Sequence, residues 1–279
     1  RMRALPILGP CFAALLPSSR AFEEEMVAVV ADSVGTMDVE WLRHEMRVVR
    51  VGRGSPRNIG ESRPWLQWIL RNYDRLPSRV FFSHGHQFTS HCDHRAEDLA
   101  RLRSPATMVS NHCYWLSGQT DLGAENKYLD GLHLALFGKS WATWYKDRGV
   151  RYRQCCSESV VSNGTILSHR VELYQELLAV TNDAPSAPWG WVYERLWESL
   201  WTDQAFMRAN ATKALEQFRQ GLRAAGEHLA RPERTVTLKK KNTNHYPLAD
   251  WFDCKKAAVL LTVEKASSLM GVPSAAPEP

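Results

Sequence analysis

Continuous apolar runs predict buried strands in the first half of the chain. Residues 26–31 read Met-Val-Ala-Val-Val-Ala and end at Asp32, and residues 80–82 read Val-Phe-Phe. Runs without polar alternation are typical of strands that are covered on both faces, as in parallel sheets. Residues 47–51 mix basic and apolar side chains and predict another strand. A further strand is predicted over residues 159–161.

The segment before the Val-Phe-Phe strand predicts a helix. Its apolar residues are spaced at i, i+3, i+4 and i+7 and form one stripe: Leu66, Ile69, Leu70 and Tyr73. Ser62 is suited to the N-cap and Pro64 to the first turn, and residues 76–77 end the helix. A strand, a helix and a strand at this spacing predict a right-handed crossover on a parallel sheet.

The later part of the chain is predicted to be largely helical. Apolar stripes predict helices over residues 171–178, with Ser168 as the cap, over 193–200 and over 215–229. We therefore expect a single α/β domain over residues 22–265, with a mostly parallel central sheet flanked by helices. The tail, residues 266–279, is rich in Ser, Pro and Ala and is expected to be disordered.

The N-terminal segment has the composition of a targeting signal. A basic start and the apolar residues 4–16 precede the small residues Ser19 and Ala21, which fit a cleavage pattern. Residues 1–21 are thus predicted to be a signal or targeting segment. This favours the secretory pathway or the cell exterior, with a cytoplasmic location as the alternative. No other apolar run approaches the ~20 residues that cross a bilayer, so no transmembrane span is expected.

The composition argues against some of the ligands and partners that the protein could bind. The 279 residues carry a formal net charge of +5, and the densest basic cluster is only Lys239–Lys241. Without a recognisable nucleic-acid module, this argues against nucleic-acid binding. None of the six cysteines forms a C-x-x-C pair, which argues against a cysteine zinc site. The eleven tryptophans favour an aromatic core over a sugar-stacking groove.

A glycine-containing turn before the predicted helix is a candidate phosphate site. Free backbone N–H groups and the positive end of the helix dipole favour an anion there, and arginines could add charge-assisted hydrogen bonds. The predicted substrate- or phosphate-binding residues are Arg53, Arg57, Asn58 and Arg63. The alternative is a structural turn in which Glu61 stabilises the helix end.

Histidines are dense directly after the Val-Phe-Phe strand. His84, His86, His91 and His94 lie close to Asp93. Because alternate strand residues point the same way, the first two imidazoles could meet one ion. Neutral imidazoles with a carboxylate suit zinc, manganese or iron. We predict a divalent ion, Mn or Zn, on Asp32, His84 and His86. Alternatively, the histidines bond loop backbone, or one of them acts as a general base.

Two glutamates complete the candidate chemistry. Glu194 lies on an aromatic-rich predicted helix, where an unpaired buried carboxylate costs free energy. It therefore either pairs, for example with Arg195 or Arg63, or takes part in catalysis together with Glu61. The predicted catalytic residues are Glu61, His84, His86 and Glu194.

Three blocks of the chain resemble a known family, the domain-of-unknown-function family 3431. The first runs from Asn58 through the Asn-Tyr-Asp of residues 72–74 to the His-Gly-His of residues 84–86. The second runs from the cysteine pair at 155–156 to Tyr174, and the third is the Tyr-Glu-Arg-Leu-Trp of residues 193–197. The resemblance as a whole extends over roughly residues 26–201.

Two positions depart from the pattern of that family. The arginine expected between Gly60 and Glu61 is missing, and Glu158 stands where a glutamine is expected. Either departure could alter or abolish an activity that the family has.

Function follows only by analogy of fold. A nucleotide-binding α/β half, an acidic strand end and candidate metal ligands favour a glycosyltransferase-like enzyme that uses a nucleotide-sugar donor. The usual Asp-x-Asp motif is absent, so Asp32 and the histidines would have to replace it. The alternatives are a metal-dependent hydrolase built on the His84–His94 cluster, and a non-catalytic carbohydrate-binding or interaction module. In each enzymatic case the expected partner is a small molecule or a carbohydrate.

Overall fold

Two sheets organise the part of the chain that the computed structural model describes: residues 25–32, 37–52, 60–85, 87, 94–109, 112–115, 125–147, 152–154, 157–226 and 251–253. In chain order the strands are β1 (Met26–Ala31), β2 (Arg47–Val51), β3 (Arg79–Ser83), β4 (Ala106–Met108), β5 (His112–Trp115), β6 (Tyr152–Gln154), β7 (Ser159–Ser162) and β8 (Trp251–Asp253). Five of them form a sheet in the order β2-β1-β3-β7-β4, and the other three form a small sheet in the order β6-β5-β8.

The five-stranded sheet is mixed. Strands β2, β1 and β3 are parallel, as expected, but β7 lies antiparallel between β3 and β4. The α/β class is confirmed, whereas the prediction of a mostly parallel sheet was wrong. A strand buried on both faces is a continuous apolar run in either direction, so the run over residues 159–161 indicated the strand without its orientation.

The helices occupy most of the predicted positions. They are α1 (Glu40–Arg43), α2 (Ser62–Asn72), α3 (Ala96–Ala100), α4 (Glu125–Phe137), α5 (Trp141–Asp147), α6 (Asn163–Leu167), α7 (Val171–Asp183), α8 (Trp189–Thr202) and α9 (Ala211–Ala224). Two expected N-caps were wrong: Glu61, not Ser62, precedes α2, and Arg170, not Ser168, precedes α7. Among these described helices, none has the length and apolar character needed to cross a membrane.

Alternate residues of the strands build two cores on opposite faces of the sheet. Val80 and Phe82 face a large core that includes α2, α4, α7, α8 and α9. Phe81 faces a smaller core with residues of α1 and α3. The result is a three-layer arrangement, helix–sheet–helix, in which both sides of β1 and β3 are buried.

Tryptophans form much of the larger core, as predicted. Trp65 of α2 contacts Phe82, and Phe82 stacks on Trp197 and Trp201 of α8 with interplanar angles of 7° and 5°. These side chains are almost completely buried. The aromatic residues therefore fix α2 and α8 against the same strand. The predicted signal segment over residues 1–21 and the tail over residues 266–279 lie outside the described residues.

Candidate functional site

The carboxyl ends of β1 and β3 meet at one edge of the sheet. Both strands run parallel, with Val30 opposite Ser83. The chain passes from β1 to β2 on one side and returns through α2 to β3 on the other side. Ligands of open α/β sheets bind at such reversals of strand order, outside the carboxyl ends. Asp32 follows β1 and His84 follows β3 at this edge.

The start of α2 brings a carboxylate to this edge. Glu61 precedes the first residue of α2, and its Oε1 lies 3.5 Å from Nε2 of His84. Only 7% of the Glu61 side chain and 10% of the His84 side chain are exposed. The hydroxyl of Ser157 donates a 3.0 Å hydrogen bond to the same oxygen of Glu61. A carboxylate, an imidazole and a hydroxyl therefore meet in an almost closed site.

Attraction between the two groups outweighs the cost of their burial. Burial alone would raise the pKa of Glu61, but the charge and hydrogen bonding of His84 lower this pKa below its ordinary value of 4.5. Burial alone would lower the pKa of His84, but Glu61 raises it to about 9, with smaller effects from Glu158 and Glu194. At neutral pH the pair is thus a carboxylate and an imidazolium.

An indole ring supports the imidazole of His84. The ring of Trp65, in the first turn of α2, stacks on His84 with centroids 5.8 Å apart and an interplanar angle of 11°. A cation within about 6 Å of an indole is attracted by the negative face of the ring. The same helix end therefore supplies both the counter-charge, Glu61, and the aromatic surface.

The opposite face of β3 carries a second buried carboxylate. Oε1 of Glu158 accepts 3.0 Å hydrogen bonds from the hydroxyl of Ser83 and from the backbone N–H of His84. Its Oε2 lies 2.8 Å from Nε2 of His94. Phe82 pairs with Ser159 in the antiparallel ladder, so continuing that ladder puts Glu158 opposite Ser83. Because successive residues of a strand point to opposite faces, Glu158 shares the face of Ser83 and lies on the face opposite His84.

Three of the four predicted catalytic residues lie in described parts of the chain, and they are near one another. Glu61 and His84 are in contact. Glu194 of α8 is half-buried, and its charge raises the pKa of His84. His86 lies outside the described residues.

The sequence reasoning did not assign Ser157 and Glu158 to the site. Both directly precede the strand predicted over residues 159–161. Two polar residues at the start of a buried strand would have indicated them if the direction of that strand had been known, because the start of an antiparallel strand lies beside the end of its neighbour.

Of the four predicted phosphate-binding residues, Arg63 lies in the described part of the chain. Arg53, Arg57 and Asn58 lie outside the described residues. Arg63 of α2 donates from Nη2 to the side-chain oxygen of Asn182 at 2.7 Å, and partial burial lowers the pKa of its guanidinium. Arg63 thus links α2 to α7, and its role in anion binding stays a prediction.

The predicted metal ligands have other contacts. Oδ2 of Asp32 accepts hydrogen bonds from Nη1 of Arg50 and from the backbone N–H of Met37. Within the described ranges, no group of three or more His, Cys, Asp or Glu side chains could hold a metal ion. Because His86 lies outside those ranges, Mn or Zn binding at Asp32, His84 and His86 stays a prediction.

Another part of the described chain forms an open groove away from this site. It has a volume of about 620 Å³ and is lined by Trp41, His44, Gln87, Arg95, Ala96, Glu97, Asp98 and Arg101. Several of these residues belong to α1 and α3, on the smaller-core side of the sheet. The groove shares no lining residue with the Glu61–His84 site, whose position at a reversal of strand order is the stronger indication of function.

Comparison with known proteins gives a family but no activity. The model of a family described as a protein of unknown function (DUF3431) matches residues 29–217. No curated protein matches the chain. No solved structure matches it either. The matched residues run from β1 into α9 and include Glu61, His84, Ser157, Glu158 and Glu194.

Proposed function

The chain belongs to DUF3431, a family of proteins of unknown function, and we propose that it is a glycosyltransferase-like enzyme that uses a nucleotide-sugar donor. The observation that carries the proposal is the contact between His84 and Glu61 at the carboxyl edge of β1 and β3. We assign the donor to this edge, because open α/β sheets bind nucleotides at the reversal of strand order.

His84 supplies the positive charge in this scheme. Transfer breaks the bond between the sugar's anomeric carbon and a phosphate oxygen, and negative charge grows on that oxygen. A preorganised cation in a site that excludes water stabilises such charge. Glu61 is the principal group that keeps His84 protonated at neutral pH. The imidazolium therefore donates a hydrogen bond or a proton to the departing phosphate oxygen.

Glu194 is assigned as the base. The new bond forms between the anomeric carbon and an acceptor hydroxyl oxygen, and the hydroxyl proton must leave at the same time. Glu194 is half-buried and close enough to His84 for its charge to act on the imidazole. A carboxylate at that position receives the proton. The acceptor is a carbohydrate or another small hydroxyl compound.

A divalent ion would replace the imidazolium as the positive charge in this scheme, because a histidine that ligates a metal is neutral. Asp32 and His84, with His86, are the residues that would hold Mn or Zn. The ion would supply positive charge beside the donor's diphosphate. The experiment therefore includes manganese as a variable.

Thermal-shift measurements with nucleotide sugars test the proposal. UDP- and GDP-linked sugars are each added with and without manganese. A ligand at about 100 times its Kd stabilises the native state by about 2.7 kcal/mol. For a chain of this size that corresponds to a rise in Tm of about 5–10 °C. The stabilised complex is then tested for release of the nucleoside diphosphate in the presence of candidate acceptors.

Matched variants locate the binding site. His84→Gln and Glu61→Gln are expected to remove the shift, whereas His44→Gln, an exposed histidine of the other helical layer, should retain it. If no nucleotide sugar raises the Tm of the wild-type protein with or without manganese, the proposal is wrong. It is also wrong if the His84 and Glu61 variants respond like the wild type.

A further inference from the structure

The turn that follows β3 is fastened to one carboxylate. Oε1 of Glu158 accepts the backbone N–H of His84 and the hydroxyl of Ser83, each at 3.0 Å. The Ser83 hydroxyl in turn accepts the backbone N–H of Gly85 at 2.9 Å. The backbone of two consecutive residues is therefore held, directly or through one hydroxyl, by a single side-chain oxygen.

This turn packs closely against β1. Gly85 has φ +86°, and a Cβ atom there would lie 2.8 Å from Cγ1 of Val30. Only glycine takes this left-handed conformation at low cost. Because the chain leaves β3 in this fixed direction, the imidazole of His84 lies over Trp65 and beside Glu61.

His94 holds the other end of Glu158. Its Nε2 lies 2.8 Å from Oε2, and its ring packs edge-on to Phe81 with centroids 6.1 Å apart. Glu158 is fully buried and His94 is nearly so. The carboxylate thus spans from the histidine of the smaller core to the backbone of the histidine at the site.

A buried carboxylate costs more free energy than is needed if its only role is to accept hydrogen bonds from the backbone and from Ser83. A neutral amide oxygen could accept the same two hydrogen bonds, and burying a charge costs several kcal/mol more than burying a neutral group. A carboxylate differs from an amide in having two acceptor oxygens. Oε1 of Glu158 accepts from Ser83 and from the backbone of His84, and Oε2 lies 2.8 Å from Nε2 of His94, so the carboxylate uses both of its oxygens.

We propose that Glu158 is a positioning residue for His84: through Ser83 and the backbone N–H groups of residues 84 and 85 it fixes the imidazole over Trp65 and against Glu61. The proposal rests on the proposed function for its consequence, since a displaced imidazole would miss the departing phosphate oxygen. The displacement of the imidazole itself can be measured without a ligand.

NMR of the histidine ring protons gives that measurement. Stacking on the indole of Trp65 should move the ring signals of His84 upfield. In Glu158→Ala we expect the signals to move back towards those of an exposed histidine. Glu158→Gln keeps an oxygen for Ser83 and His84, so its ring signals should stay close to those of the wild type. Leu222→Ala, in α9, controls for general loss of stability and should leave them unchanged.

Binding of the donor is the second measurement. A displaced imidazolium loses its charge-assisted hydrogen bond to the donor's phosphate, so Glu158→Ala should weaken binding of an active nucleotide sugar by about tenfold or more. Glu158→Gln should restore most of this loss. If no nucleotide sugar binds the wild-type protein, the proposed function fails while the ring signals still decide the role of Glu158.

Two results would overturn the role assigned to Glu158. One is a folded Glu158→Ala protein whose His84 ring signals equal those of the wild type. The other is a Glu158→Gln protein that loses the stacking shift as completely as the alanine variant. If Glu158→Ala does not fold, Ser83→Ala decides, because it removes the link to Gly85. Ser83→Ala must then move the His84 ring signals part of the way towards those of an exposed histidine. Unchanged signals would refute the proposal.

Discussion

Nε2 of His84 lies 3.5 Å from Oε1 of Glu61, and both side chains are almost completely buried. Placing two charges out of water is costly, and pairing with further hydrogen bonds offsets that cost. Here Ser157 supplies such a hydrogen bond, and Trp65 supplies a favourable surface for the cation. Each partner therefore determines the charge state of the other.

The first prediction concerns the pKa of His84. In Glu61→Gln the imidazole stays buried but loses its principal carboxylate, so its pKa should fall from about 9 towards the ordinary 6.5 or below. A pH titration of the His84 ring signals by NMR measures this change. Glu172→Gln, which alters an exposed ion pair with Arg170, is the control and should leave the pKa unchanged. A pKa that stays near 9 without Glu61 would contradict the assigned pairing.

The same pair makes stability depend on pH in a defined direction. The folded pKa of His84 is raised, so its stabilisation is complete below pH 6.5 and is lost as the pH rises through about 9. The folded pKa of Glu61 is lowered, so its stabilisation is present above pH 4.5 and is lost as the pH falls through the folded value. The difference in unfolding free energy between wild type and Glu61→Gln should be largest between pH 4.5 and 6.5.

Urea unfolding at about pH 6 and about pH 10 checks this direction. The stability difference should be smaller at the higher pH, because neutral His84 no longer benefits from the carboxylate. A difference that grows with pH would show that the pair does not carry opposite charges in the folded state.

The second prediction concerns Gly60, which sets the approach of Glu61. Its φ is +58°, and a Cβ there would lie 2.9 Å from the Cα of Gly190 in α8. Gly60→Ala combines left-handed strain with a backbone clash, for which we expect a loss of about 2–4 kcal/mol. Gly226→Ala has a similar φ, +78°, but nothing lies within 4 Å, so it should lose only about 1 kcal/mol. Equal losses in the two variants would remove the close contact as the explanation.

The local parts of the site could be predicted from the sequence. The apolar run before Asp32, the helix from Ser62 and the strand before His84 each depend on neighbours within a few residues. Once two strands are parallel and a helix connects them, their carboxyl ends share an edge. The proximity of Glu61 and His84 follows from these elements alone.

The remaining contacts depend on segments that are far apart in sequence. Ser157 reaches Glu61 and Glu158 reaches Ser83 only because β7 enters the sheet antiparallel to β3. The direction of a fully buried strand leaves no mark on its own apolar run. The contact of Asp32 with Arg50 likewise depends on the register between β1 and β2, which the residues of either strand alone do not specify.

The third prediction tests the contact between α4 and α9. A Cβ on Gly131 of α4 would lie 2.3 Å from the ring of Phe218 in α9. Gly131→Ala should therefore lower the free energy of unfolding by about 1–3 kcal/mol, although alanine is the better helix former. Gly221→Ala, in α9 with nothing within 4 Å, should raise it by about 0.5–1 kcal/mol. Denaturant unfolding compares the two, and changes of the same sign would contradict the packing of Gly131 on Phe218.

The fourth prediction concerns the ion pairs between α7 and α9. Arg219 donates from Nε to Asp183 and from Nη1 to Glu176, both at 2.6 Å, and only 16% of its side chain is exposed. We expect Arg219→Ala to cost about 1.5–3 kcal/mol, because two carboxylates lose a largely buried partner. Arg170→Ala removes an exposed pair with Glu172 and should cost less than about 0.5 kcal/mol. Similar losses in urea unfolding would show that burial does not strengthen the Arg219 pairs.

The fifth prediction concerns Ser157, which has φ +39° without being glycine. Alanine at this position loses the hydrogen bond to Glu61 and keeps the strained Cβ, whereas glycine loses the hydrogen bond and the strain together. Ser157→Gly should therefore be more stable than Ser157→Ala by about 0.5–1 kcal/mol, and both should be less stable than the wild type. Loss of the same hydroxyl should raise the pKa of Glu61 in both variants.

Ser159, in the regular part of β7, provides the matched control for Ser157. Its buried hydroxyl has no hydrogen-bond partner among the described residues. Ser159→Ala should therefore be tolerated, and Ser159→Gly should be the less stable variant because glycine weakens a strand. The order of alanine and glycine thus reverses between the two serines, and urea unfolding of the four variants measures both orders. If alanine is the more stable at both positions, the backbone strain at Ser157 does not exist, and the hydroxyl is held beside Glu61 at no conformational cost.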